Sequence, residues 1–589
     1  MFKKYYKNIL IRNILGITVL KKRIILSVVL PICMFASSPT DEAFRQQKAD
    51  ERARAVQELQ PKAQDVMLNA TPGIEVPKSV PQDEKPCFYI KPEDISLRGE
   101  EAGQFGYALE DALKTLHYSN KGECIGIQGI NTIMSLTQNR IIDDGYVTTR
   151  VLLEPQDLSS GTLKYSLIAG RVDGVRALDK TSATSLKNSM PTSRDKLLNL
   201  RDIEQGLENL RRLPTASATM QITPSGKAGY SDIVIDYKHR IPFRVTLSMD
   251  DAGSKSTGRM QGGATLAWDN PLGLNDIFYI GYTRDIGDRS SVSLNNDTRN
   301  GGSNNRVLHY SIPWGYWLVS FDESRYDYEQ MVAGASQIYN YNGSSTTKKL
   351  TLKRVLYRDD TIKFSTSLIG WQKSSNNFID DAELTVQRRK TAGYELGFDL
   401  RKYFGSAVFD LSAYYKRGTG AFDALQAPEE SYNEGTSRMQ IYTFNASVYA
   451  PFVLKERNFA YSTSLKFQYN GTPLTPQDRL SIGGRYTVRG FDGEYSLSSD
   501  RGAIWRNDIE WAYKPAHKFY IALDGGHVSG ENAKYLMGKT LIGGAFGLRG
   551  QFSKFGTIGY DLFVGLPIYA PENFPKKSIT GGFSINYNF

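Results

Sequence analysis

From residue 240 onward, apolar and polar residues alternate in short runs and almost no helical period survives. Around the last strand-like run, Phe583, Ile585, Tyr587 and Phe589 lie on one face, and Gly582, Ser584, Asn586 and Asn588 on the other. In another, Tyr461, Thr463, Leu465, Phe467 and Tyr469 oppose Ser462, Ser464, Lys466, Gln468 and Asn470. A period of two is that of a β-strand, whose side chains point to opposite faces of the sheet. Aromatic residues on one face against charged or amide residues on the other suit a barrel wall wetted by lipid outside and by water inside. A soluble barrel would enclose apolar residues instead. Sixteen such segments are predicted: 241–250, 258–268, 275–284, 305–312, 315–325, 347–357, 361–373, 391–403, 405–418, 437–450, 459–470, 502–513, 518–527, 540–551, 555–565 and 580–589. An even number leaves both barrel ends on one side of the membrane. Connections 285–304, 326–346, 374–390, 419–436 and 471–501 are long, whereas 313–314, 358–360, 404 and 514–517 are tight. That is the asymmetry between external loops and periplasmic turns.

Upstream the period changes to that of helices mixed with strands. Residues 86–171 read as a small α/β module. It has a strand-like start at Phe88, Tyr89 and Ile90 and a helix near 103–115 with Phe105, Leu109, Leu113 and Leu116 on one face. A second helix near 130–142 carries Ile130, Ile133, Met134 and Ile141, and strands follow at 148–153 and 163–168. Residues 172–239 repeat the pattern, with a strand at 171–177, a helix at 202–212 and strands at 216–223 and 232–237. Two like modules in tandem predict a duplicated unit. Residues 41–64 have helical composition but no wide apolar stripe, so that helix belongs in water or in a polar cavity. Residues 65–85, with Pro72, Pro77 and Pro81, read as a flexible linker. The fold class expected is therefore a sixteen-stranded membrane β-barrel at 240–589, preceded by two small α/β domains and an N-terminal helix.

Charge and cysteines refine the setting. The net charge of +10 is concentrated in residues 1–40, which hold Lys3, Lys4, Lys7, Arg12, Lys21, Lys22 and Arg23 and no acid; without them the charge is +3. The basicity therefore marks an export leader, not a nucleic-acid surface. Its apolar stretch, 24–35, is too short to span a membrane, and Ala36, Ser37 and Ser38 follow. Two cysteines remain after the leader, Cys87 and Cys124. In an oxidising compartment they are expected to bridge. The five histidines (His117, His239, His309, His517, His527) are scattered without metal-ligand spacing. No phosphate-binding loop or nucleophile elbow is present in the sequence. The expectation is a non-enzyme with no metal or other cofactor.

The longest connection contains Gly483-Gly484-Arg485-Tyr486-Thr487-Val488-Arg489-Gly490-Phe491-Asp492-Gly493. By alternation Phe519, Ile521 and Leu523 face lipid, so Asp524 faces the lumen, as do Arg506, Asp508 and Glu510. Two readings fit this spacing. The loop folds into the barrel and Arg489 pairs with Asp524, or Arg489 is a solvated loop residue and Asp524 an isolated acid. The Val488-Arg489-Gly490-Phe491 run resembles the signature loop of the outer-membrane assembly-factor superfamily. The whole chain is similar to its two-partner secretion branch, the haemolysin secretion/activation transporters. Cys87-Phe88-Tyr89-Ile90, 122–129, 145–151 and Pro155-Gln156-Asp157-Leu158 resemble that branch's first polypeptide-transport-associated (POTRA) domain. The run 201–210 with Arg212-Leu213-Pro214 resembles the second, and 250–253 with 268–276 the start of the barrel.

The resemblance implies that 41–64 is a removable lumen plug and that 86–171 and 172–239 are periplasmic POTRA domains. It implies that these bind the amino-terminal secretion domain of a secreted exoprotein: a haemolysin, a filamentous adhesin or a contact-dependent inhibition toxin. It also implies that Arg489 pairs with Asp524 and that Phe589 is read by the barrel-assembly machinery. The chain departs from the family pattern at Leu523, where an aromatic residue usually precedes the aspartate. An insertion factor of the same superfamily is the alternative, though it commonly carries five small domains. A diffusion porin, which needs none, is the more remote one.

Overall fold

A computed structural model describes residues 39–61, 65–68, 76–77, 79, 85–119, 124–179 and 185–589. The leader expected at 1–40 lies, but for its last two residues, outside the described residues. The N-terminal helix α1 spans Pro39–Glu58.

The first small domain contains β1 (Ile95–Arg98), α2 (Ala102–Thr115), α3 (Ile127–Asp143), β2 (Arg150–Leu153) and β3 (Leu163–Ile168). Its sheet order is β1-β3-β2, with β1 parallel and β2 antiparallel to β3. The predicted helix faces, Phe105, Leu109, Ile130, Ile133 and Ile141, meet Leu163 and Tyr165 in one core. The phenol of buried Tyr165 donates to the Ile130 carbonyl at 2.7 Å, so no polar atom is stranded there. The expected strand at Phe88, Tyr89 and Ile90 is corrected. Phe88 makes only an isolated bridge to Ile125, beside the Cys87–Cys124 disulfide, and the first sheet strand is β1.

The second domain repeats the plan with β4 (Arg171–Ala177), a short α4 (Leu186–Ser189), α5 (Leu200–Arg211), β5 (Ala216–Pro224) and β6 (Tyr230–His239), in the order β4-β6-β5. Val172, Leu198, Ile203, Leu207, Leu210, Ile233 and Ile235 form its core.

Strand β6 leads into the barrel. Among the described residues sixteen strands close it: Phe243–Asp250, Met260–Asp269, Ile277–Gly287, Gly302–Trp314, Trp317–Ala333, Ile338–Arg358, Ile362–Ile379, Arg389–Phe404, Ala407–Thr419, Gln440–Leu454, Arg457–Asn470, Arg501–Lys514, His517–Ser529, Thr540–Ser553, Thr557–Tyr569 and Thr580–Asn588. The last pairs antiparallel with the first, from Ser584 opposite Asp250 to Asn588 opposite Thr246. The wall alternates as lipid demands: Ile521 and Leu523 are exposed on the outside, while Ala522 and Asp524 are buried within. Exposed Trp268, Trp314, Phe404 and Phe452 lie at the periplasmic ends of their strands and supply an interfacial aromatic girdle.

Two expectations are corrected. Most of the long connection 326–346 is strand, since Trp317–Ala333 pairs along its whole length with Ile338–Arg358, from Trp317 opposite Arg354 to Ala333 opposite Ile338, as a tall hairpin. Above the bilayer no lipid face imposes alternation, yet the backbone hydrogen bonds still need partners and the ladder continues. The linker at 65–85 is not free throughout. Residues 65–68 are pinned between α5 and the barrel rim, with Val66 only 4% exposed. The rest of that linker, apart from 76–77, 79 and 85, lies outside the described residues.

Candidate functional site

The loop after Arg457–Asn470 turns back into the barrel. It makes its own two-stranded ladder, Leu480–Ile482 with Leu497–Ser499. Leu480, Ile482, Val488, Phe491 and Leu497 pack against wall residues Ile504, Val528 and Leu541 and against Phe574. Phe491 meets Phe574 edge-on, 5.8 Å between ring centroids. The structure brings Arg489 and Asp524 together. Arg489 Nε donates to Asp524 Oδ2 at 2.6 Å, Nη2 to Oδ1 at 2.7 Å, and the Arg489 backbone N–H to Oδ2 at 3.0 Å. Asp524 is fully buried, so the fork-to-carboxylate geometry compensates a charge that has left water.

A second acid shares the arginine, with Arg489 Nη2 lying 2.5 Å from Asp508 Oδ1. Asp508 in turn accepts from Arg549 at 3.0 Å, and Arg549 reaches Glu510 at 3.0 Å. Sequence reasoning placed Asp508 and Glu510 in the lumen but missed both this sharing and Arg549. The seat is cut by glycines. Gly490 has φ +104°, and a Cβ there would lie 2.4 Å from the Leu566 carbonyl oxygen; one on Gly543 would lie 1.8 Å from that of Arg489. Only glycine admits the loop so close to the wall. The Gly543-Gly544 pair was the overlooked signal.

Helix α1 lies in the lumen beneath this loop. Arg52 Nη1 donates to Asp250 at 2.8 Å, the Arg45 guanidinium sits 4.4 Å from the Tyr341 ring centroid, Ser345 donates to Gln46 at 2.9 Å, and Gln57 donates to Asp322 at 3.2 Å. Its apolar contacts are small: Ala49 among Tyr326, Tyr328 and Tyr341, and Ala53 and Val56 with Ala267, Tyr279 and Val307. Each such hydrogen bond is worth about 1 kcal/mol net, and more where a charge takes part. The helix is therefore retained by a modest sum of separable polar contacts. Beside it a cavity of about 1260 Å³ is lined by Asp50, Arg54, Lys349, Lys373, Lys466 and Tyr486, among others. The lumen is polar and otherwise roomy.

Comparison with known proteins assigns this architecture. The family model for haemolysin secretion/activation protein ShlB/FhaC/HecB matches residues 229–550, a ShlB-type POTRA model matches 98–170, and a further POTRA model matches 171–224. The chain belongs to the ShlB/FhaC/HecB family. It is 34% identical to the outer membrane transporter CdiB-2 of Burkholderia pseudomallei, over 94% of this chain and 96% of that one. The hemolysin transporter HpmB of Proteus mirabilis is 25% identical, over 67% of this chain and 68% of the relative. The structure of CdiB from Acinetobacter baumannii superposes with a TM-score of 0.79 at 29% identity, covering 94% of this chain and 99% of that one. As a member of the ShlB/FhaC/HecB family the chain is an outer-membrane transporter of two-partner secretion, with its POTRA domains in the periplasm.

In this family member the second POTRA domain is docked firmly beneath the barrel. Asn209 Nδ2 donates to the Gly315 carbonyl at 2.7 Å, Asn188 Nδ2 to that of Pro313 at 2.9 Å, and Arg212 Nη2 to Ser311 Oγ at 2.6 Å. Tyr316 donates to Asp202 at 2.5 Å. None of these residues was singled out from sequence as a contact. The signal available was α5 itself, half polar in sequence yet buried at every position from Leu200 to Leu210 except Asp202. The first domain meets the second where the Leu200 N–H donates to the Gly145 carbonyl at 2.8 Å and Asn199 Nδ2 to that of Asp144 at 3.2 Å, and its β2 edge presents exposed Leu152 and Leu153. Phe589, 79% exposed, extends the closing seam: its N–H donates to the Val245 carbonyl at 2.9 Å.

Proposed function

We propose that the chain exports one large exoprotein as an extended, unfolded polypeptide through the barrel lumen. Its cargo class is a haemolysin, adhesin or contact-dependent inhibition toxin. The observation that carries this reading is α1, a polar helix occupying a polar lumen through separable contacts. It is a plug that can leave and that has no other evident use there. The amino-terminal secretion domain of the cargo docks on the first POTRA domain, where the unpaired β2 edge offers main-chain hydrogen bonds and Leu152 and Leu153 offer apolar contact. The plug withdraws and the cargo enters as an extended chain. Folding outside then prevents backsliding, so transport needs neither nucleotide nor a catalytic group. During biogenesis, exposed Phe589 serves as the residue recognised by the barrel-assembly machinery.

Deletion of 86–171 tests the docking role. Secretion should cease while the barrel still inserts and runs as a heat-modifiable band. Continued secretion from that variant would refute it.

A further inference from the structure

Residues 65–68 cross the seam between α5 and the periplasmic rim of the barrel, and the seam reads them position by position. Asp65 accepts from Lys363 Nζ at 2.8 Å, from Arg401 Nη1 at 2.7 Å and from the Tyr403 hydroxyl at 2.6 Å. The Val66 N–H donates to Glu208 Oε1 at 3.0 Å, and its carbonyl accepts from Arg358 Nη2 at 2.8 Å. Two residues on from Val66, the Leu68 N–H donates to Glu204 Oε1 at 2.7 Å. The Val66 side chain sinks into the second POTRA core, and Leu68 packs against the same cluster. Burial alone would raise the Asp65 carboxyl; the Lys363 ammonium and the hydrogen bonds from Lys363, Tyr403 and Arg401 instead hold it far below the usual carboxylate range.

The reading groups are themselves held in place. Arg358 also bonds Gln205 and Glu208, each at 2.9 Å, Glu204 accepts from Arg201 at 2.6 Å, and Glu204 is fully buried. Two carboxylates aimed at alternate backbone N–H groups, with a guanidinium on the carbonyl between, recognise an extended main chain whatever its side chains. The cation cluster then asks for an acid at the first position, and the apolar pocket for aliphatic residues at the second and fourth. An empty seam would leave buried carboxylates short of donors, so it favours being refilled.

Withdrawal of the plug far enough empties it. Helix α1 has 20 residues and is about 30 Å long at 1.5 Å per residue. The seven residues from Glu58 to Asp65 span at most about 24 Å. A withdrawal that carries Glu58 farther than that from Asp65 therefore strips 65–68 from the seam.

We propose that this seam is a recognition site for an extended peptide of the pattern acid, aliphatic, any residue, aliphatic. The chain's own residues 65–68 hold it at rest, and a segment of that pattern in the exoprotein takes it at the mouth of the lumen during transport. The exoprotein as occupant rests on the export reading above; peptide recognition does not.

The probe is a labelled octapeptide with the sequence of residues 63–70 (AQDVMLNA), added to the full chain in detergent. A double variant, Asp65→Lys with Val66→Asp, ejects the resident segment, and heat-modifiability checks that it is folded. The octapeptide should bind this variant at least tenfold tighter than it binds the native chain. The same peptide with Lys in place of Asp should lose that binding, as should adding Lys363→Glu and Arg401→Glu to the variant. In bilayers, excess octapeptide should raise the conductance of the native chain, and its Lys version should not. Absence of binding to the folded variant, or equal binding of the two peptides, would overturn the proposal. Because these readouts involve no secretion, a failure of export in the native chain would strike the export reading and leave the peptide result standing.

Discussion

Substituting Arg489 by alanine isolates the contact that seats the folded-in loop. Asp524 is fully buried and takes three of its hydrogen bonds from Arg489, two from the side chain and one from the backbone. Arg506 Nε is 3.7 Å from Asp524, too far to replace the lost guanidinium by a direct bond. Removing one partner of a buried ion pair costs about 3–5 kcal/mol, an upper range here because the Arg506 charge still faces Asp524. At about 1.4 kcal/mol per factor of ten, the unseated loop should be populated roughly a hundredfold to several thousandfold more. Hydrogen exchange by mass spectrometry on the detergent-folded protein reads this directly. Amides of 487–491 should exchange faster by about that factor, while the wall strands His517–Ser529 and Thr540–Ser553 keep their protection. Reversing the pair, Arg489→Asp with Asp524→Arg, should restore protection only in part, because an acid at 489 would face Asp508. Unchanged exchange at 487–491 in Arg489→Ala would refute the claim that this pair seats the loop.

Two further substitutions separate the loop from the plug. Gly490→Ala combines an unfavourable φ of +104° with a Cβ 2.4 Å from the Leu566 oxygen, and it should unseat the loop with every charge intact. The same exchange measurement reports it, and native-like protection would show that the glycine is dispensable. Arg52→Ala removes the charge-assisted bond to Asp250, worth about 1.5–3 kcal/mol. Channel openings in planar bilayers should become roughly ten- to a hundredfold more frequent, with Arg54→Ala at an exposed position of α1 as the control. Equal opening in both variants would count against Arg52 as a retaining contact.

The sixteen strands were legible because lipid enforces a period of two: a misplaced residue such as Asp524 on the outer face would put a charge into hydrocarbon. The same dependence explains where reading stopped. In Trp317–Ala333 and Ile338–Arg358 the ladder outruns the bilayer, no lipid wets its outer face there, and composition no longer marks the strand. Both POTRA folds followed from helix stripes such as Ile203, Leu207 and Leu210, whereas β1 is too short to show a period. The loop pair was visible as an arginine among glycines opposite an inward acid. Its partner Asp508 stood on a strand whose other inward charges, Arg506 and Glu510, look alike in sequence. The rim seam was hidden for another reason. Asp65 and Arg401 are far apart in sequence, and polar contacts across such separations carry no periodicity. Residues 65–68 therefore read as linker until their partners were seen.

The central claim is that the lumen is occupied by α1 at rest and must empty for cargo to pass. A Cβ on Gly281 would lie 2.8 Å from Val56 Cγ1, which brings cysteines at these two positions within disulfide reach. In Val56→Cys with Gly281→Cys, the oxidised protein should neither secrete cargo nor open in bilayers. Reduction should restore both to the level of the single-cysteine variants under the same reductant, which controls for the native Cys87–Cys124 bridge. Export continuing at the native rate through the fully cross-linked barrel would contradict the account.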